Sequence, residues 1–146
     1  TKMNPKITKT KKRELPAISK IYKAEFSKPP YNEKWTPGKI KSKMKFFYKF
    51  YEMYTIKYDK EIIGFVVINP NFMCPGDVAF GEEIAIKSDY QNKGIGTKVI
   101  KTMFEIYRKR GFKKFIGIAA SNSKPLKLYK KIGLIPSKSD VLVEKN

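Results

Sequence analysis

A short glycine-bearing turn in the second half of this chain restricts its fold more than any other feature. Residues 91–96, with the sequence QNKGIG, follow the apolar run at 83–86 and precede the helical pattern at 97–110. This order predicts a strand, a tight turn and a helix in direct succession. The first N–H groups of such a helix have no partners inside the helix, and together with the positive end of the helix dipole they favour a bound anion.

The composition of the turn suits a phosphate group. Gly94 and Gly96 remove side chains where a phosphate would approach the backbone, and Lys93 adds a positive charge. Two familiar phosphate-binding motifs do not fit, because no window supplies the Walker A pattern G-x-x-x-x-G-K-S/T and a dinucleotide motif would need a third glycine at Val99. The alternative is that the glycines serve only the geometry of the turn.

Two segments of the chain carry motifs that are specific in combination. The turn matches the pattern Q/R-x-x-G-x-G/A. Downstream, Asn122 precedes a short helical segment that carries Tyr129 and is closed by Gly133. Together these motifs resemble the two signatures of the GCN5-related N-acetyltransferase (GNAT) superfamily. The resemblance is strong over residues 77–134 and weaker in the N-terminal third. It implies a mixed α/β fold in which strands four and five splay apart to admit acetyl-CoA, with helices on both faces of the sheet.

The remaining residue pattern agrees with that fold. We expect residues 1–146 to form a single domain, since this length suffices for one sizeable core. The periodicity predicts strands at 6–9, 53–57, 62–68, 78–86 and 115–119, helices at 13–26, from 36 to about 51 and at 97–110, and a last short strand at 141–143.

The absence of histidine narrows the chemistry open to this chain. It excludes Ser-His-Asp triads, histidine zinc sites and histidine general bases, and we expect no metal. In an acetyltransferase a carboxylate, directly or through water, would have to take the proton of the acceptor amine. Glu82 and Glu83 are the candidates, but the period of a strand places them on opposite faces unless a bulge intervenes. Both remain open, as does a simple surface position.

The resemblance also assigns the remaining catalytic and cofactor residues. It implies that Tyr129 protonates the departing thiolate and that Asn122 hydrogen-bonds the pantetheine arm or holds the loop, although a core aromatic and a helix cap are the ordinary alternatives. The implied cofactor-binding residues lie on the fourth strand (Ile84, Ala85, Ile86) and in the turn (Gln91, Asn92, Lys93, Gly94, Ile95, Gly96, Thr97).

The acceptor is the least constrained part of the prediction. In this family the loop between the first two helices lines the acceptor side, which implies Tyr31, Asn32 and Trp35 as substrate-binding residues. The acceptor would be an amine of a small molecule or a protein, and a homodimer is compatible with the resemblance. A formal charge of +19 argues mildly against polycationic acceptors.

The charge also raises a competing hypothesis, a basic nucleic-acid-binding protein that keeps the fold without turnover. The chain has 32 Lys and Arg against 13 Asp and Glu, but the lysines are spread over every predicted element instead of forming one groove-sized patch. No apolar run reaches the roughly 18 residues of a membrane span. We therefore expect a cytoplasmic protein with no membrane association and no specific nucleic-acid site.

Binding to polyanions should accordingly be weak, independent of nucleotide sequence and sensitive to salt. A fluorescence anisotropy titration with labelled oligonucleotides should detect it at low salt and lose it at about 0.15 M, where the Debye length is about 8 Å. Submicromolar affinity at that salt concentration, or preference for one oligonucleotide, would instead favour the nucleic-acid hypothesis.

Overall fold

A computed structural model describes residues 3–121 and 123–146 of the chain. The elements in chain order are β1 (Lys6–Lys9), α1 (Leu15–Phe26), α2 (Pro37–Phe50), β2 (Glu52–Tyr58), β3 (Glu61–Asn69), β4 (Val78–Ile86), α3 (Ile95–Lys109), β5 (Lys114–Gly117) and α4 (Lys124–Lys131). One five-stranded sheet has the order β1-β2-β3-β4-β5. Its first four strands pair antiparallel and β5 pairs parallel to β4. The predicted mixed α/β fold is confirmed.

Local sequence sets where the helices begin and end. The Thr36 hydroxyl accepts a hydrogen bond from the Lys39 N–H at 3.2 Å, and Pro37 follows as the first helical residue of α2. Ser123 caps α4 in the same way, accepting from the Leu126 N–H at 3.2 Å. Gly111, with a φ of 94°, follows α3 in the left-handed conformation that ends many helices.

The helices cover both faces of the sheet. On one face α1 and α2 pack over an aromatic-rich cluster that includes Tyr22, Phe47 and Phe65. On the other face α3 packs over a cluster that includes Val66 and Val99. Adjacent residues of β3 contribute to opposite clusters because side chains alternate along a strand. β3 is therefore central and buried on both faces, as its nearly continuous apolar run predicts.

Two irregularities of β4 shape the centre of the sheet. Val67 of β3 pairs with Glu83, but the next residue, Ile68, pairs with Gly81, so Glu82 is an unpaired bulge residue. On the other side of β4, pairing with β5 runs only as far as Gly81 and Gly117. Beyond this point β4 has no strand partner on that side within the described part of the chain. This is the expected separation of strands four and five.

Two predicted strands near the C-terminal end differ from the structure. β5 is shorter than the predicted 115–119, because the chain leaves β4 after Gly117. The predicted strand at 141–143 is wrong: these residues form no strand, and Val141 and Val143 are 85% and 83% exposed. A strand needs a neighbouring backbone to complete its hydrogen bonds, and an apolar triplet alone does not supply one. No described helix has both the length and the apolar character required to cross a membrane.

A close backbone approach makes Gly64 sensitive to substitution. It lies opposite Ile86 in the β3–β4 ladder, and a Cβ there would lie 2.5 Å from the carbonyl oxygen of Ala85. Because that oxygen belongs to the backbone, it cannot move aside as a flexible side chain could. Gly38, in the first turn of α2, has no atom within 4 Å of the corresponding position.

We expect Gly64→Ala to lower the free energy of unfolding by about 1–3 kcal/mol through overpacking. Gly38→Ala should leave it unchanged or raise it by up to about 1 kcal/mol, because alanine favours the helix. Urea denaturation midpoints of the two variants provide the measurement. Equal midpoints would show that the β3–β4 approach is looser than the structure indicates.

Candidate active site

Two adjoining cavities lie where β4 and β5 separate. The smaller one, about 230 Å³, is lined by residues of β4, the chain after β5, the loop after α1, and α4. The larger one, about 660 Å³, extends along the end of β4 to the glycine turn and the start of α4. Six residues line both cavities, namely Phe26, Tyr31, Ile84, Ile100, Pro125 and Tyr129. The cavities therefore form one continuous cleft whose junction is marked by two tyrosines.

The glycine turn forms one end of the larger cavity. Gly94 has a φ of 81° and precedes α3, so the turn requires its left-handed conformation as well as its small size. A Cβ built on Gly94 meets no atom within 4 Å, and one on Gly96 meets only Leu128, at 3.5 Å. Neither glycine therefore places a side chain at the start of α3, and Leu128 is the only close neighbour of the two positions. This cradle fits a phosphate group.

The side chain of Gln91 attaches the turn to its surroundings. Its Nε2 atom donates hydrogen bonds to the carbonyl oxygen of Ile86 and to Oε1 of Glu25, each at 2.7 Å. Lys28 forms an ion pair with the same Glu25 at 2.9 Å, and Ser88 Oγ donates to it at 3.1 Å. The negative charge of Glu25 is therefore compensated beside a site suited to an anion. Its role was not predicted because Glu25 is 66 residues from Gln91.

Most of the predicted cofactor residues line the larger cavity: Ile84, Ala85, Ile86, Gln91, Asn92, Gly94, Gly96 and Thr97. Lys93 and Ile95 are not among its lining residues. Ile95 is 1% exposed as a whole residue and packs in the core cluster under α3. Lys124 of α4 does line the cavity. The predicted Asn122 lies outside the described residues.

Both candidate carboxylates line the smaller cavity, because the bulge at Glu82 interrupts the alternation of side chains. Glu82 accepts a hydrogen bond from Asn69 Nδ2 at 3.3 Å. Glu83 Oε2 accepts one from the Tyr22 hydroxyl at 2.8 Å. Burial raises the pKa of Glu83 to about 7, with smaller contributions from Glu33 and Glu82. A carboxyl group with this pKa can gain or lose a proton near neutral pH.

Tyr129 approaches the junction of the two cavities from α4. Burial raises its pKa above the ordinary value, and the nearby Tyr31 and Glu83 raise it further. Burial likewise raises the pKa of Tyr31. Tyr129 therefore stays protonated at neutral pH and has a proton to donate. Glu83 and Tyr129 thus place a proton acceptor and a proton donor on the walls of one small cavity.

Two of the three predicted substrate residues lie elsewhere. Trp35 contacts Tyr22 edge-on, with ring centroids 4.8 Å apart, and its Nε1 donates to Glu33 at 3.2 Å. Asn32 has a φ of 51° and donates its N–H to the carbonyl oxygen of Lys28 at 2.9 Å. Neither lines the two described cavities, whereas Tyr31 lines both. Contact of Asn32 and Trp35 with an acceptor remains a prediction.

The chain is similar to a known protein family and to several solved structures. The model of the acetyltransferase (GNAT) family matches residues 15–134. No curated protein sequence matches the chain. A possible acetyltransferase from Clostridium difficile 630 is 9% identical and superimposes with a TM-score of 0.83, covering 97% of each chain.

Two further solved structures share the fold. The ribosomal-protein-alanine N-acetyltransferase from Brucella melitensis biovar Abortus 2308 is 16% identical, with a TM-score of 0.75 over 98% of this chain and 100% of its own. The aminoglycoside N-acetyltransferase AAC(6')-Iy, solved with CoA, is 14% identical, with a TM-score of 0.75 over 99% of this chain and 97% of its own. At these identities the similarity shows a shared fold.

Gly96 lines the larger cavity, so substitutions there test whether this cavity binds a phosphate. Gly96→Glu places a carboxylate where a phosphate would bind, and Gly96→Gln adds nearly the same volume without charge. Repulsion between like charges a few ångströms apart should make the Glu variant bind coenzyme A at least about tenfold more weakly than the Gln variant. Isothermal titration calorimetry measures both affinities.

The fold should survive both changes, because a Cβ at residue 96 makes only an ordinary van der Waals contact with Leu128, at 3.5 Å, and a carboxylate in the first turn of a helix is favourable. Circular dichroism melting curves provide that control. An equal loss of coenzyme A affinity in Gly96→Glu and Gly96→Gln would indicate a purely steric effect and no bound phosphate at this position. Unchanged affinity in both variants would show that the turn does not contact the ligand.

Proposed function

Because this chain belongs to the acetyltransferase (GNAT) family, whose model matches most of its length, we propose that it transfers an acetyl group from acetyl-CoA to a primary amine, with Glu83 as general base and Tyr129 as general acid. The observation that carries the proposal is that both side chains line the smaller cavity, with Tyr129 at its junction with the larger one. We also propose that residues 1–146 act as a single domain.

The larger cavity supports binding of the family's cofactor. Acetyl-CoA supplies an acetyl group activated as a thioester. Gly94, Gly96 and the first N–H groups of α3 would hold its pyrophosphate, and Lys124 is near enough to the cavity to add a positive charge. Along the same cavity, Ile84–Ile86 of β4 would contact the pantetheine arm, since this stretch has no β5 partner.

The smaller cavity supports the proton transfers. An amine attacks only in its neutral form, and a free alkylammonium has a pKa of about 10.4, so a base must remove its proton. Glu83 is favoured over Glu82 because its partly buried carboxyl group has a pKa of about 7 and is held by a hydrogen bond from Tyr22. The Tyr129 hydroxyl, on the opposite element α4, holds the proton required by the leaving group.

The acceptor class follows from the site and from related proteins. The names of the solved neighbours indicate that they acetylate aminoglycosides or alanine of a ribosomal protein. We propose a primary amine of a small molecule or of a protein as the acceptor of this chain. A cavity of about 230 Å³ favours a single amine-bearing group over a whole aminoglycoside, which would extend beyond it.

Release of coenzyme A thiol in the presence of a panel of amines tests the proposed activity and the choice of base. With any active acceptor, Glu83→Gln should lower kcat/KM by about 10²–10⁴-fold, and Glu82→Gln, as the matched control, by less than about tenfold. The wild-type kcat/KM should rise as the pH increases through about 7, because only the ionised Glu83 accepts a proton. Glu83→Gln should lose this part of the profile.

The comparison of Glu83→Gln with Glu82→Gln shows which of the two carboxylates is the base. A larger loss in Glu82→Gln would exchange the roles of the two carboxylates. Absence of thiol release above the rate of spontaneous hydrolysis with every amine, while coenzyme A still binds, would contradict the proposed transferase activity.

A further inference from the structure

Tyr22 occupies a position that neither the glycine turn nor the second signature involves. It lies on α1, is 2% exposed, and donates its hydroxyl proton to Glu83 Oε2 at 2.8 Å. The two residues are 61 positions apart in the chain. The interaction therefore depends on the packing of α1 against the sheet and has no local sequence pattern.

The ring of Tyr22 is held by aromatic neighbours from four directions. Its centroid lies 4.6 Å from that of Phe26, 4.8 Å from Trp35, 6.4 Å from Phe47 and 6.0 Å from Phe65. These contacts are edge-on with Trp35 and Phe47, tilted with Phe26 and stacked with Phe65, and together they restrict ring rotation and displacement. The hydroxyl is consequently presented to Glu83 in one orientation.

The hydrogen bond has two consequences for Glu83. It occupies Oε2, which leaves Oε1 for a proton from an acceptor. It also favours the ionised carboxylate, since a phenol that donates to a carboxylate stabilises the charge. Burial raises the pKa of Tyr22 far above its ordinary value, and the charge of Glu83 raises it further, so Tyr22 acts only as a donor.

We propose that Tyr22 is a positioning residue for the reaction: its hydroxyl orients the Glu83 carboxylate in the wall of the smaller cavity and favours its ionised form. This inference rests on the proposed role of Glu83 as general base. Without the hydrogen bond, burial would raise the pKa of Glu83 further, so a smaller fraction of the carboxyl group would be ionised and able to act as a base at neutral pH.

Other charged and titratable groups also face Glu83, and their effects on its pKa must be distinguished from that of Tyr22. They are Lys43 of α2, Glu33 and Tyr31 of the loop after α1, Glu82 of β4, and Tyr129 of α4. The hydrogen bond and Lys43 both lower the pKa of Glu83, whereas Glu33 and Glu82 raise it. Removing only the Tyr22 hydroxyl leaves all these groups in place.

The test is a titration of Glu83 in protein labelled with ¹³C at glutamate side chains, followed by NMR, with Glu83→Gln used to assign its resonance. The carboxyl of Glu83 should titrate near pH 7 in the wild type. In Tyr22→Phe the midpoint should move upward by about one pH unit, since a hydrogen bond to a charged group is lost. This experiment needs no acceptor.

Tyr54→Phe is the matched control. It also removes a buried tyrosine hydroxyl, one that bonds Tyr107 at 3.1 Å in the core cluster on the opposite face of the sheet. In Tyr54→Phe the midpoint of the Glu83 titration should equal that of the wild type. An unchanged or lower midpoint in folded Tyr22→Phe, or an equal upward shift in Tyr54→Phe, would overturn the inference.

With an active acceptor, the midpoint of the acidic limb of the kcat/KM profile should shift to higher pH by the same amount in Tyr22→Phe. At alkaline pH the kcat/KM of this variant should approach that of the wild type. Glu83→Gln should be slow at every pH. Full activity in Glu83→Gln would show that Glu83 is not the general base, whereas the effect of Tyr22 on the pKa of Glu83 in the NMR titration would still stand. A slow Glu83→Gln with an unshifted Tyr22→Phe would refute only the role of Tyr22.

Discussion

The parallel pairing of β4 with β5 ends at Gly81 and Gly117, and the cleft exists because it ends there. β4 continues through residues 82–86 while it remains paired to β3 on its other side. A strand whose backbone is hydrogen-bonded to a neighbouring strand on only one side has free donors and acceptors on the other side. This suits an elongated ligand that can pair with them. The bulge at Glu82 lies at the same place. The break in pairing and the convergence of both carboxylates are therefore features of one short stretch of β4.

Helix α1 connects the two parts of the cleft. Tyr22 contacts Glu83 at the smaller cavity, and Glu25 contacts Gln91 at the glycine turn. The two side chains are three residues apart, so they project from neighbouring positions on the same helix surface. The packing of α1 on β3 and β4 thus sets the position of the candidate base and of the phosphate-binding turn together. A shift of this helix would alter both.

The local electrostatics of the cleft differ from those of the whole molecule. The chain has a net charge of +19, yet burial and the nearby Glu33 and Glu82 raise the pKa of Glu83 in the smaller cavity. Exposed lysines are screened by solvent and salt over about 8–10 Å, whereas a buried carboxylate responds strongly to its immediate neighbours. Burial, one hydrogen bond and Lys43 consequently govern the protonation of Glu83 more than the overall charge does.

The sequence alone determined the order and type of the elements from β1 to α4, because hydrophobic periodicity, the Thr36 cap and the glycines at helix ends act within a few residues. The glycine turn was predictable for the same reason. The tertiary structure decided what depends on distant partners: the end of β5, the absence of a strand at 141–143, and the bulge that brings Glu82 and Glu83 into one cavity. It also decided the contacts of Tyr22 and Glu25, which cross 61 and 66 residues and follow from the packing of α1 on the sheet.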